Sequence, residues 1–85
     1  MKNVLITGAS RGMGRACALY LSTRNVRVFA GVRDPAHGEA LLNGGSPNLV
    51  PVELDVTSPS SIASAIDQCT HELGGGGLDA LVNNA

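Results

Sequence analysis

Apolar positions along the chain switch repeatedly between a strand-like and a helix-like spacing. Val4-Leu5-Ile6 is an unbroken apolar run, the pattern of a parallel strand covered on both faces, and predicts a strand over Asn3–Ile6. Gly14, Cys17, Ala18 and Leu21 then recur at i, i+3, i+4, i+7 and predict a helix with a face of small residues, ended by Asn25. Val26–Val32 reads as a second strand. Asp34-Pro35 supplies an N-cap and a first-turn proline for a second helix through about Leu42, and the stretch Asn43–Pro47 breaks it. Asn48–Leu54 is a third strand, with Pro51 pointing to an edge position. Ser58-Pro59 repeats the cap-and-proline signal, and Ile62, Ile66, Cys69 and Leu73 mark the expected inner face of a third helix. Gly74–Gly77 stops that helix as an expected mobile run, and Leu78–Val82 is a fourth strand.

This alternation, β-α-β-α-β-α-β, predicts an α/β fold: a Rossmann-like parallel sheet in the order 3-2-1-4, ending after the fourth strand. At that order the winding reverses between strands one and four, so a ligand belongs at the carboxyl ends of the strands. Four segments lie there: Thr7–Gly14, Gly31–Asp34, Asp55-Val56 and Asn83-Asn84-Ala85. The first is a glycine-rich turn between a strand and a helix, with the spacing Gly8-x3-Gly12-x-Gly14. One glycine permits the tight turn, another lets a pyrophosphate approach the backbone, and a third lets helix and strand pack closely. The free N–H groups and positive dipole end of the following helix complete an anion site. A purely structural turn is the alternative, and the strand before and amphipathic helix after favour a nucleotide.

Composition narrows the setting. With 85 residues the chain is at most one small domain, and 44% hydrophobic with 15% charged residues places it among globular sequences. A net charge of −1 disfavours nucleic acid or an anionic membrane as partner. No apolar run approaches the ~20 residues of a membrane span, and the N-terminus lacks the pattern of a signal peptide. Cys17 and Cys69 are far apart in helical patterns and read as two buried thiols rather than a disulfide or metal site, which fits a reducing, cytoplasmic location. No metal site is expected. His37 and His71 are expected beside helix ends, facing solvent.

At this point the chain resembles the short-chain dehydrogenases/reductases. Thr7-Gly8-Ala9-Ser10-Arg11-Gly12-Met13-Gly14 is similar to the family's TGxxxGxG loop, Leu54-Asp55-Val56-Thr57 to its adenine-contacting segment, and Leu81-Val82-Asn83-Asn84-Ala85 to its NNAG motif, one residue short. The resemblance spans the whole chain and implies roles. Gly8, Ser10, Arg11, Gly12 and Met13 would hold the phosphates and adenosine ribose of a dinucleotide. Asp55 would accept from the adenine amino group, with the Val56 backbone completing the contact. Asn83 and Ala85 would lie along the cofactor ribose, and Asn84 would help tie the fourth strand to its neighbours. Asp55 as a plain turn residue, and the asparagines as ordinary strand-end hydrogen bonders, are the alternatives.

The resemblance also bears on which nicotinamide cofactor is bound. A carboxylate after the second strand selects NAD, whereas an arginine accommodates the 2′-phosphate of NADP. The place of the NAD-selecting acid is held by Val32. Arg33 matches the arginine of NADP-preferring members, and Arg11 matches their second basic residue. Asp34 is accounted for as a helix cap. NADP(H) is therefore expected over NAD(H), with solvated surface charge as the alternative for both arginines.

In the family a tyrosine acts as acid/base, a lysine four residues later lowers its pKa, and a serine orients the carbonyl. Tyr20 and Lys2 are the only tyrosine and lysine here, and Arg24 stands four residues after Tyr20. The 85 residues thus lack that dyad and are expected to be inactive alone, as the N-terminal, cofactor-binding part of an oxidoreductase. The full-length enzyme would pass hydride between NADP(H) and a carbonyl or alcohol, and would be a homo-oligomer. The alternative is a naturally short, noncatalytic nucleotide-binding or interaction module. Ending at the fourth strand leaves an unprotected sheet edge, so the isolated chain is expected to be marginally stable or prone to aggregate.

Overall fold

The computed structural model describes residues 1–84; Ala85, expected beside the cofactor ribose, lies outside the described residues. Along these residues strands and helices alternate as β1 (Lys2–Ile6), α1 (Gly12–Ser22), β2 (Val26–Val32), α2 (Pro35–Gly44), β3 (Leu49–Glu53), α3 (Pro59–Leu73) and β4 (Ala80–Val82). All strand pairs are parallel and the sheet order is β3-β2-β1-β4, as the apolar pattern predicts. Leu5 pairs with Phe29 on one side and Leu81 on the other. Pro51 sits on the edge strand β3, where its missing N–H removes no ladder bond on the outer side.

Strand periodicity divides the core into two layers. Val4, Ile6, Val28, Ala30, Val32 and Leu49 join Ala18 and Leu41 in one buried cluster, on the α1/α2 side. Phe29, Val52 and Leu54 form a second with Ala65 and Cys69 of α3, and Leu5 and Val50 pack against it. Successive residues of Val4–Ile6 in β1 and Val28–Val32 in β2 thus pack toward opposite faces, which is why those stretches carry no charged residue.

Helix starts follow the expected caps. The Asp34 Oδ1 accepts from the Ala36 N–H at 2.9 Å, and the Ser58 Oγ from the Ser61 N–H at 3.3 Å, each before a first-turn proline. The ends differ more. α1 stops at Ser22, three residues before Asn25, because the Thr23 and Arg24 N–H groups bond back three residues, to Tyr20 O and Leu21 O. Asn25 is the left-handed residue beyond this turn, with φ 60°, a conformation its short polar side chain tolerates. α2 runs on to Gly44, two residues past Leu42. Gly74 takes φ 57° and caps α3.

Burial corrects two expectations. Ile62 and Ile66 are 37% and 57% exposed, and α3 instead turns Ala65, Cys69 and Leu73 inward. The bulk of Phe29 already fills that face of β2, so the helix seats its small residues there and leaves the isoleucines at its rim. Cys17 is only half-buried; Cys69 is buried, both are free, and burial raises the Cys69 thiol pKa with a smaller push from Glu72. At the amino end of the sheet, Arg27 spans β2 and α3: its Nε donates to Asn3 Oδ1 and a terminal nitrogen to Glu72 O, both at 2.8 Å.

Candidate functional site

The chain leaves each strand at the same edge of the sheet, and the segments that follow meet around a recess of about 470 Å³. Gly8, Ser10, Arg11, Gly12 and Met13 come from the loop after β1. Arg33 follows β2, Leu54, Asp55, Val56 and Thr57 follow β3, and Asn84 follows β4. The expected convergence of four strand ends is therefore present in the fold.

Two glycines shape the loop through their backbone. Gly8 and Gly12 have φ 61° and 63°, where an L side chain is strained. Gly14 acts differently: a Cβ there would overlap the Gly8 carbonyl and the Asn84 amide, so its lack of a side chain permits α1 to approach β1. Hydrogen bonds fix the loop from both flanks. The Ala9 N–H donates to Gly31 O of β2 at 2.9 Å, and the Thr7 N–H to Val82 O of β4 at 3.0 Å. The Asn84 N–H donates to Thr7 Oγ1 at 2.9 Å, and its amide nitrogen to Gly8 O at 3.2 Å. Asn84 thereby braces the loop as well as lining the recess.

The start of α1 differs from those of α2 and α3. Arg11 occupies its N-cap without a side-chain cap bond, whereas Asp34 and Ser58 cap the other two helices. An uncapped helix start presents N–H groups and the positive end of the dipole to whatever occupies the recess. The side chains add to that field: Arg11 and Arg33 are exposed on the same recess, Arg33 to 78% of its side chain.

Asp55 is the recess's carboxylate. Its Oδ1 accepts from the Thr57 hydroxyl at 2.7 Å and the Thr57 N–H at 2.9 Å, while Oδ2 lies 3.9 Å from an Arg33 nitrogen. These bonds hold its pKa below the ordinary carboxylate value, the Thr57 hydroxyl first, then the Thr57 N–H, with Arg33 a lesser cause. Because the folded pKa is depressed, the associated stability is present above the unfolded carboxyl pKa and is lost as pH falls through the folded value. Thr57→Val removes the largest cause, and the Asp55 titration, followed by carbon NMR of the carboxyl, is expected to move up toward the ordinary value. An unchanged midpoint would mean that the hydroxyl does not set it.

Of the twelve residues assigned to the cofactor from sequence, nine line the recess. Gly14 is buried behind it, in close packing with Gly8. Asn83 does not line it either; its Oδ1 accepts from Thr7 Oγ1 at 3.3 Å. Leu54 and Thr57 line the recess without having been assigned a role. Both stand within the quoted segment Leu54–Thr57, and the signal for Thr57 is a hydroxyl two residues after an acid in a turn. Tyr20 lies on exposed α1 surface under the Arg24 guanidinium, 4.8 Å from its ring centre, and is not among the recess residues. No helix among the described residues is long and apolar enough to cross a membrane.

The profile of the short chain dehydrogenase family matches residues 2–85. The short chain dehydrogenase gsfK of Penicillium aethiopicum is 45% identical over 87 residues, covering 96% of this chain and 34% of that protein. The crystal structure of NADPH-bound carbonyl reductase from chicken fatty liver superimposes with a TM-score of 0.83 at 40% identity, over 100% of this chain and 34% of that one. A 3-ketoacyl-(acyl-carrier-protein) reductase from Brucella melitensis, complexed with NADH, superimposes with a TM-score of 0.89 at 28% identity, over 99% and 34%. The chain thus spans about a third of the length of these relatives.

Proposed function

The chain belongs to the short-chain dehydrogenase family, and from that premise we propose that it is the NADP(H)-binding portion of an oxidoreductase. The whole protein would transfer hydride between NADP(H) and a carbonyl or alcohol. The observation that carries the cofactor assignment is the recess: an uncapped helix start beside two exposed arginines, with Val32 where an NAD-selecting acid would stand.

The residues present fit a dinucleotide. Gly8 and Gly12 keep the loop free of side chains where a pyrophosphate would lie, and the α1 start meets its charge. Asp55 accepts hydrogen bonds and suits an adenine amino group, with the Val56 backbone beside it. Leu54, Val56 and Met13 offer apolar surface to the adenine face. Arg33 and Arg11 take the 2′-phosphate, and Asn84, which lines the recess after β4, lies toward the ribose; the family resemblance assigns Asn83 and Ala85 to the same side of the cofactor. The bound cofactor would supply the hydride; these residues bind and orient it.

Tyr20 and Lys2 do not form the family's acid/base pair, so we assign the 85 residues binding without turnover. A homo-oligomeric whole protein in a reducing, cytoplasmic setting fits the family and the two free cysteines. The test is oxidation of NADPH and of NADH by the gene product at its native length, with a panel of ketones and aldehydes. NADPH-dependent reduction, together with a Tyr-x-x-x-Lys in the sequence past Ala85, is the expected result. A native product ending at Ala85 that binds cofactor without reducing any carbonyl would instead support the noncatalytic module.

A further inference from the structure

Resting on the dinucleotide reading, we propose that Met13 is an oxidative modification site, where a hydroperoxide converts the thioether to a sulfoxide and reversibly weakens cofactor binding. Met13, flanked by Gly12 and Gly14 at the start of α1, is 83% exposed and lines the recess. The other methionine, Met1, is exposed at the amino end of the chain and is not among the recess residues. The two thiols are poorer targets. Cys17 is half-buried, Cys69 is buried with its pKa raised by that burial, and neither is among the recess residues. A thioether needs no deprotonation to react, so exposure governs its access to oxidant.

The step is a two-electron oxidation. The Met13 sulfur attacks one oxygen of the peroxide, the O–O bond breaks as an S–O bond forms, and with hydrogen peroxide the second oxygen leaves as water. Position decides what this does to binding. Met13 is the second residue of α1, whose hydrogen-bond ladder starts where the Arg15 N–H donates to Arg11 O at 3.3 Å. The N–H groups ahead of Arg15 have no acceptor within the helix and are the ones offered to a pyrophosphate. A sulfoxide oxygen carries the negative end of a strong dipole and accepts hydrogen bonds. Placed at this turn, it repels phosphate oxygens and competes with them for those N–H groups. It also puts a polar group where Met13 offers the dinucleotide apolar surface. The Met13 side chain belongs to neither core cluster, so the change reaches the ligand without disturbing the fold.

The test is treatment of the protein with dilute hydrogen peroxide, peptide mass mapping of each methionine, and titration with NADP⁺ before and after. Oxidation of Met13 is expected to weaken NADP⁺ about tenfold at an unchanged denaturant midpoint, and methionine sulfoxide reductases to restore the affinity where dithiothreitol does not. Met13→Leu, compared with its own untreated affinity, is expected to lose nothing under the same treatment. Saturating NADP⁺ is expected to slow oxidation at Met13 and not at Met1. Unchanged affinity with Met13 fully oxidised, an equal loss in Met13→Leu, or Met13 resisting peroxide while Met1 reacts would overturn the proposal. In each of those cases, binding by the untreated protein would leave the dinucleotide reading standing. Untreated, folded protein that binds no dinucleotide would overturn that reading and the proposal with it.

Discussion

Gly14→Ala is expected to destabilise the chain by about 3 kcal/mol and to abolish measurable dinucleotide binding. The added methyl would overlap the Gly8 carbonyl and the Asn84 amide. The first is backbone, anchored by its neighbours on β1 and β2, and gives way only if the whole loop shifts. Since the same loop forms the floor of the recess, stability and binding fall together. Gly12→Ala is the informative contrast. Gly12 has φ 63° with open space around its would-be Cβ, so the cost there is backbone strain alone, about 1–2 kcal/mol. Denaturant unfolding of the two variants measures the difference. A Gly14→Ala protein as stable as wild type would show that α1 does not need its close approach to β1.

Arg33→Ala has the second large effect, on cofactor choice. A charge-assisted contact to phosphate contributes roughly 1.5–3 kcal/mol, which converts to a loss of about 10- to 150-fold in NADPH affinity. The variant also frees Asp55 from its ion pair. That pair is long, at 3.9 Å, and Arg33 is 78% exposed, so its own contribution is at most ~1 kcal/mol and the phosphate term decides the outcome. NADH affinity is expected to stay within about twofold of wild type, as the small size of the pair term implies. Equilibrium titration of both cofactors checks this. An equal loss for NADPH and NADH would place Arg33 elsewhere than at the 2′-phosphate.

Much of this was legible along the chain because two periodicities and two cap signals are local. The strand Val26–Val32 reads off its apolar run to the residue, and Asp34-Pro35 and Ser58-Pro59 mark helix starts by chemistry that acts within three residues. The inner face of α3 was not legible. Spacing marks Ile62 and Ile66 as apolar, but only the packing of Phe29 against Ala65 and Cys69 decides which stripe of the helix is covered. The site divides the same way. The glycine loop, Arg33 and Asp55 announce themselves by residue type at strand ends, and nine of twelve assigned residues line the recess. Gly14 and Asn83 are adjacent in sequence to lining residues yet act beside the recess, Gly14 by packing against Gly8 and Asn83 by bonding Thr7, a distinction made by tertiary contacts. Thr57 was legible only as a hydroxyl two residues after Asp55, and the bond to Asp55 is what gives that spacing its meaning.

We expect this chain to hold a dinucleotide at the carboxyl edge of its sheet. The most direct measurement is an NMR titration of the protein with NADP⁺, following backbone amides. Saturable shifts are expected at Gly8–Gly14, Arg33, Asp55–Thr57 and Asn84, with the α3 amides of Ile62–Leu73 unaffected. Absence of shifts up to millimolar ligand in folded protein, or shifts centred on another face, would contradict it.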